Sequence, residues 1–165
     1  MSEIYLAGGC FWGLEEYFSR INGVTKTTVG YANGTTEATD YQQVHTTDHA
    51  ETVHVTYDEA VISLTDILRY YFRVIDPLSI NKQGNDVGRQ YRTGIYYSVD
   101  TDLPVINKAV AHQRQKLGTE LAVEIEPLRN YILAEDYHQD YLKKNPGGYC
   151  HIDVNKAHQP LTPEE

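Results

Sequence analysis

Apolar residues recur along the chain in two spacings, every second position and every third or fourth, and the switches between them predict the elements. Residues 4–7 form a short apolar run of strand length, and Phe11, Leu14, Phe18 and Ile21 then recur at helical spacing up to a stop at Asn22-Gly23. A β-branched strand is predicted over 24–31, closed by the turn residues Asn33-Gly34-Thr35-Thr36. Residues 35–49 are polar and aperiodic, a long loop of the kind that often carries function. Strict alternation over 50–57 puts Glu51, Val53, Val55 and Tyr57 on one face and Ala50, Thr52, His54 and Thr56 on the other.

Val61, Leu64, Leu68, Tyr71, Phe72 and Ile75 predict a second amphipathic helix, stopped at Asp76-Pro77. Residues 79–92 read as a polar loop, and Ile95, Tyr97 and Val99 as a strand. A third helix is predicted over 103–116 with Ile106, Ala109, Val110 and Gln113 inward and a stop at Gly118. Leu121, Val123 and Ile125 follow as a strand with one wet face, then a short polar helix over 135–144. Asn145-Pro146-Gly147-Gly148 breaks the chain before Tyr149-Cys150.

The order β-α-β-β-α-β, then α-β-α, predicts an α/β (α+β) two-layer sandwich: a ferredoxin-like split βαβ core with a mixed sheet, extra helices and a long coiled C-terminal segment. At 165 residues one domain is expected, over 1–158, with 159–165 as an uncovered polar tail that could begin a linker. The net charge of −9 argues against nucleic acid or an anionic membrane as partner. No secretory signal or membrane span is visible, so a chain complete at its start is expected in the cytoplasm. In a reducing compartment, two cysteines so far apart are more readily catalytic or redox-active than a structural framework.

Gly8-Gly9-Cys10-Phe11-Trp12-Gly13 puts a cysteine at a strand-to-helix turn, where unpartnered N–H groups and the helix dipole favour a thiolate. Cys10 is thus a candidate nucleophile with Phe11 and Trp12 as an apolar wall beside it; a packed structural cysteine is the alternative. Glu51 shares the apolar face of its strand, and desolvation there raises a carboxyl's pKa and suits it to act as a general acid, unless it reaches solvent or a basic partner. Cys150 follows a Pro-Gly-Gly hinge and could travel to Cys10 as a resolving thiol, or stay free and inert. His45, His49 and His54 give no metal site, because loop and strand geometry separates them.

These blocks, with residues 41–44, His49-Ala50-Glu51, Gly84-Asn85-Asp86, Gln90-Tyr91-Arg92 and 145–150, resemble the A-type peptide methionine sulfoxide reductases, over residues 3 to about 152. The resemblance implies reduction of methionine S-sulfoxide, free or in proteins, with Cys10 attacking sulfur, Glu51 supplying the proton, and Tyr41 and Tyr91 bonding the oxygen. It also implies a methyl pocket of Phe11 and Trp12, a supporting Asp86, and a Cys10–Cys150 disulfide formed through a sulfenic acid. No bound cofactor is implied; thioredoxin or another dithiol would restore the thiols. Some members carry a further cysteine after the resolving one, or one where His45 stands, and this chain has neither. A monomer, or part of a longer fused protein, is expected. Rival readings are a cysteine peroxidase, a non-enzymatic domain with a structural disulfide, and a thiol hydrolase; the last needs a histidine near Cys10, and strand parity provides none.

Overall fold

The computed structural model describes all 165 residues, Met1–Glu165. Strand β1 (Ser2–Ala7) runs up the middle of the sheet and leads through Gly8 and Gly9 into helix α1 (Phe11–Ser19). Strand β2 (Val24–Ala32), a four-residue helix α2 (Val44–Thr47) and strand β3 (Ala50–Tyr57) follow. Helix α3 (Leu64–Val74) precedes a small hairpin, β4 (Lys82–Gln83) and β5 (Asp86–Val87), and a 3-10 turn, Arg89–Tyr91. Then come β6 (Gly94–Tyr97), α4 (Leu103–Leu117), β7 (Glu124–Pro127), β8 (Tyr131–Leu133) and α5 (Tyr141–Lys144).

The six-stranded sheet has the order β7-β6-β1-β3-β2-β8, with only the β6–β7 pair parallel. Its central four strands are two interleaved βαβ units: β3 lies between β1 and β2, and β1 lies between β3 and β6. This is the mixed-sheet, split βαβ core that the element order predicts. Alternation along β1 sends Ile4 and Leu6 into the main core with Phe11, Leu14, Phe18, Val53 and Val55, while Tyr5 and Ala7 join a smaller cluster on the other face. The Tyr71 hydroxyl, fully buried, donates to the Ala7 carbonyl at 2.6 Å and so fastens α3 to the end of β1, two residues before Gly9.

Several boundaries differ from the periodic pattern, each for a local reason. Val61 is exposed; α3 starts at Leu64 because the Ser63 hydroxyl caps it by accepting the Asp66 N–H at 3.1 Å. Val99 is also exposed, since β6 ends at Tyr97 before a 3-10 turn at Asp100–Asp102. In α4, Ile106, Val110 and Gln113 are buried and Ala109 is half-buried, and β7 begins at Glu124, not at Leu121. The expected helix over 135–144 is two short turns, Asp136–His138 and Tyr141–Lys144, parted by Asp140 at φ 52°. Tertiary bonds outcompete the helix here. Gln139 bonds Val29 through both amide atoms, accepting its N–H at 2.9 Å and donating to its carbonyl at 2.8 Å, and the Asp140 N–H donates to buried Glu15 at 2.8 Å.

Residues 159–165, expected as an uncovered tail, are bonded to α3. The Arg73 guanidinium donates to the carbonyls of Lys156, Gln159 and Pro160 and grips the Glu165 carboxylate, whose pKa falls to about 2 beside it. From Asn145 onward the one helical element is a 3-10 turn, Val154–His158, packed on α1. Replacing Tyr71 with Phe removes the buried bond to Ala7 and lowers stability by about 1–3 kcal/mol, read as a lower urea midpoint at unchanged slope.

Candidate active site

Gly9, at φ 82°, turns the chain out of β1 so that Cys10 becomes the residue immediately before α1, with its side chain almost wholly covered. The antiparallel register pairs Ala7 with Thr52, which brings Glu51 beside that turn. Its carboxyl is 1% exposed, and Oε1 accepts the Phe11 N–H at 3.2 Å. Glu51 therefore caps the helix that Cys10 begins. A carboxyl so deeply buried holds its proton; burial first, then the nearby charge of Asp86, push its pKa up to about 8 against the pull of the Phe11 N–H.

Cys10 departs from the helix-dipole expectation. Its sulfur makes no capping hydrogen bond to the helix; the nearby Trp12 N–H favours the thiolate, but burial and the neighbouring Glu51 outweigh it and push the thiol pKa up. The reduced protein thus retains both protons, one on the Cys10 sulfur and one on the Glu51 carboxyl. Asp86, Tyr41 and Tyr91 are within electrostatic reach of both groups. Burial, then Glu51, raises both phenol pKa values, so each keeps its hydroxyl hydrogen.

Each of these side chains is held by a different element. Tyr91 lies in the 3-10 turn that buried Arg92 ties down, donating to Glu124 at 2.7 Å and to the Arg89 and Asn33 carbonyls. The Tyr41 N–H donates to Glu135 at 3.2 Å, and Arg89 grips Asp48 at the far end of the same loop. Asp86 accepts the Tyr149 hydroxyl at 2.9 Å. Phe11 is fully buried against Tyr31 and His138, so of the two expected wall residues Trp12 is the half-exposed one.

Three aromatic residues here were not singled out from the sequence. Trp12 stacks on Tyr141 at 3.9 Å, and its indole N–H donates to His138 Nδ1 at 2.9 Å. His138 is 1% exposed, and its Nε2 has no partner. His151 approaches from the C-terminal segment, with Nε2 3.1 Å from the Gly8 carbonyl. Contrary to the parity argument, then, two histidines stand beside the Cys10 turn; both arrive on irregular segments, for which strand parity has no meaning. Of the three histidines weighed from the sequence as metal ligands, His45 is exposed, His49 is buried against Thr47, and His54 stacks on Tyr5 and pairs with Glu3.

Cys150 is half-buried over the first turn of α1: a methyl group on Gly13 would come 2.7 Å from its sulfur. Both cysteines are free, and the Cys150 thiol donates to the Ile152 carbonyl at 2.9 Å. Two surface cavities, of about 280 and 370 Å³, lie between α3 and α4 and beside the start of β2; neither includes a residue of this cluster. The candidate site is better located by the buried carboxyl and thiol at one strand-to-helix turn than by concavity: perturbed ionisable groups brought together at such a turn mark candidate chemistry, even though the carboxyl also serves as a helix cap.

The family described as peptide methionine sulfoxide reductase matches residues 2–165. Mxr1 from Saccharomyces cerevisiae in its reduced form is 38% identical, with TM-score 0.86 over 93% of this chain and 90% of that one. Methionine sulfoxide reductase A of Corynebacterium diphtheriae is 36% identical, with TM-score 0.84 over 90% of this chain and 76% of that one. Mxr1 in complex with Trx2 matches at 29% identity and TM-score 0.61, over 85% and 84%. The chain belongs to the peptide methionine sulfoxide reductase family, in its A-type branch, and is an oxidoreductase acting on methionine sulfoxide.

Ionising Glu51 in the folded chain costs roughly 5 kcal/mol relative to the unfolded one. A carboxyl pKa raised on folding contributes stability that is complete below about pH 4.5 and lost as pH rises through about 8. Glu51→Gln keeps an acceptor for the Phe11 N–H without an ionisable proton. Urea unfolding should show the variant gaining on the native chain between pH 5 and pH 9, by up to roughly 5 kcal/mol.

Proposed function

We propose that this enzyme reduces the S epimer of methionine sulfoxide through a sulfenic acid and a Cys10–Cys150 disulfide. The observation that carries the mechanism is the protonated Glu51 carboxyl bonded to the N–H of the residue after Cys10. A sulfoxide sulfur is a weak electrophile, and attack on it succeeds when its oxygen receives a proton as the S–O bond breaks. Glu51 gives that proton to the oxygen while the Cys10 sulfur bonds to the substrate sulfur, and the Cys10 thiol proton restores Glu51. Protons balance without a free thiolate before substrate arrives, in keeping with the raised thiol pKa. The hydroxyl then passes from the substrate sulfur to the Cys10 sulfur as the bond between the two sulfurs breaks, so methionine leaves and Cys10 carries the oxygen as S–OH.

Tyr41 and Tyr91 donate to the oxygen as charge gathers on it, and being neutral they do so without the desolvation cost of a lysine. Trp12, backed by Phe11, receives the S-methyl group, and Asp86 orders the polar side of the site through Tyr149. Cys150 then attacks the Cys10 sulfur, forming the disulfide and releasing water. A dithiol of the thioredoxin type reopens it by exchange; the complex of the related Mxr1 with Trx2 supports that choice.

Single-turnover mixing with each epimer, followed by mass analysis, tests this. One methionine per chain should form from the S epimer and none from the R epimer, with the protein two hydrogens lighter. Cys150→Ser should stop after one methionine with a trappable sulfenic acid. Oxidation of Cys10 by hydroperoxide faster than by methionine sulfoxide would favour a peroxidase instead. The methionine-forming rate should fall as pH rises through about 8, where Glu51 loses its proton. Glu51→Gln should lower that rate about 10²- to 10⁴-fold and abolish this descent.

A further inference from the structure

We infer that His151 is the base that takes the proton from Cys150 when the disulfide forms, a step that rests on the resolving role proposed for Cys150. A carbonyl oxygen only accepts, so the 3.1 Å contact between His151 Nε2 and the Gly8 carbonyl fixes the hydrogen on Nε2. Nδ1 is then a bare lone pair. It is buried and has no hydrogen-bond partner, which leaves it free to accept a proton. It also lies against the space that holds the Cys150 sulfur: a methyl group on Gly13 would stand 2.7 Å from Cys150 Sγ and 3.6 Å from His151 Nδ1. The thiol now donates to the Ile152 carbonyl, a bond it must give up before it can donate to Nδ1.

The step balances. Cys150 S–H gives its proton to Nδ1, its sulfur bonds to the Cys10 sulfur, and the S–O bond of the sulfenic acid breaks. The proton then passes from the imidazolium to the departing oxygen, which leaves as water. Burial lowers the His151 pKa, so the ring is neutral and able to accept near pH 7. Burial also raises the Cys150 pKa, which makes an unaided thiolate scarce. The charged groups around the pair are Glu16 on α1, Arg20 just after that helix, Asp153 in the C-terminal segment and Asp86 on β5.

His151→Gln tests the assignment, because the glutamine amide can still donate to Gly8 and yet has no basic nitrogen. Rapid mixing with one equivalent of methionine S-sulfoxide resolves two rates: methionine release for the first step, loss of dimedone-trappable sulfenic acid with disulfide formation for the second. The ratio of second to first rate should fall at least tenfold at pH 7, and the deficit should shrink as pH rises and hydroxide removes the thiol proton. His151→Ala should behave alike, with partial recovery on adding imidazole. Native rates for both steps in His151→Gln, or equal slowing of both at every pH, would overturn the inference. Failure of the native chain to form any Cys10–Cys150 bond would instead overturn the reading beneath it.

Discussion

The structure depends on one hydrogen bond made at the expense of solvation, from the Phe11 N–H to the carboxyl of Glu51. A helix beginning straight after a buried strand leaves its first N–H groups without partners or water, and some acceptor must be supplied from elsewhere in the fold. Here it comes from the neighbouring strand, across the β1–β3 register. The same burial that makes the bond necessary makes the carboxyl retain its proton. Stability and reactivity thus draw on one group in opposite senses: the acid that suits the reaction is the one the folded chain holds least comfortably when ionised.

Around that bond the fold assembles side chains from segments distant in sequence. The strand-to-helix turn presents Cys10, and the edge of β3 presents Glu51. The 3-10 turn anchored by Arg92 presents Tyr91, and the hairpin presents Asp86. The segment after β8, made of short turns and coil, contributes His138, Tyr141, Cys150 and His151. The regular sheet fixes the first pair within the register of one strand ladder, while the later contributors are hung on it by individual side-chain bonds such as those of Gln139 and Glu15. A division of this kind suits the proposed reaction in two stages, the first needing rigid geometry and the second needing a thiol that approaches.

What could be read from the sequence follows the same division. Period-two alternation in 50–57 was enough to put Glu51 on the buried face, and the 3.6-residue pattern after Cys10 was enough to place it at a helix start. Both depend on local backbone geometry, which neighbouring residues determine. The direction of the Cys10 pKa was misjudged because the dipole is a local property and burial is not. The break at Asp140, the three-residue strand β8 and the two histidines were out of reach for a related reason. Each is set by a partner on another element, Glu15, β2, Trp12 or Gly8, and no spacing within its own segment announces it. Tyr41, Tyr91 and Asp86 came only through family resemblance, since loops carry no period.

The chain has a single tryptophan, and it stands two residues from Cys10 with its indole N–H bonded to His138 and its ring stacked on Tyr141. Nearly all the long-wavelength ultraviolet emission of the protein therefore originates at the proposed active site. Occupation of the site by a methyl sulfoxide, or displacement of the segment that bears Tyr141, changes the polarity and quenching felt by that one fluorophore, giving the enzyme a native optical reporter that needs no label.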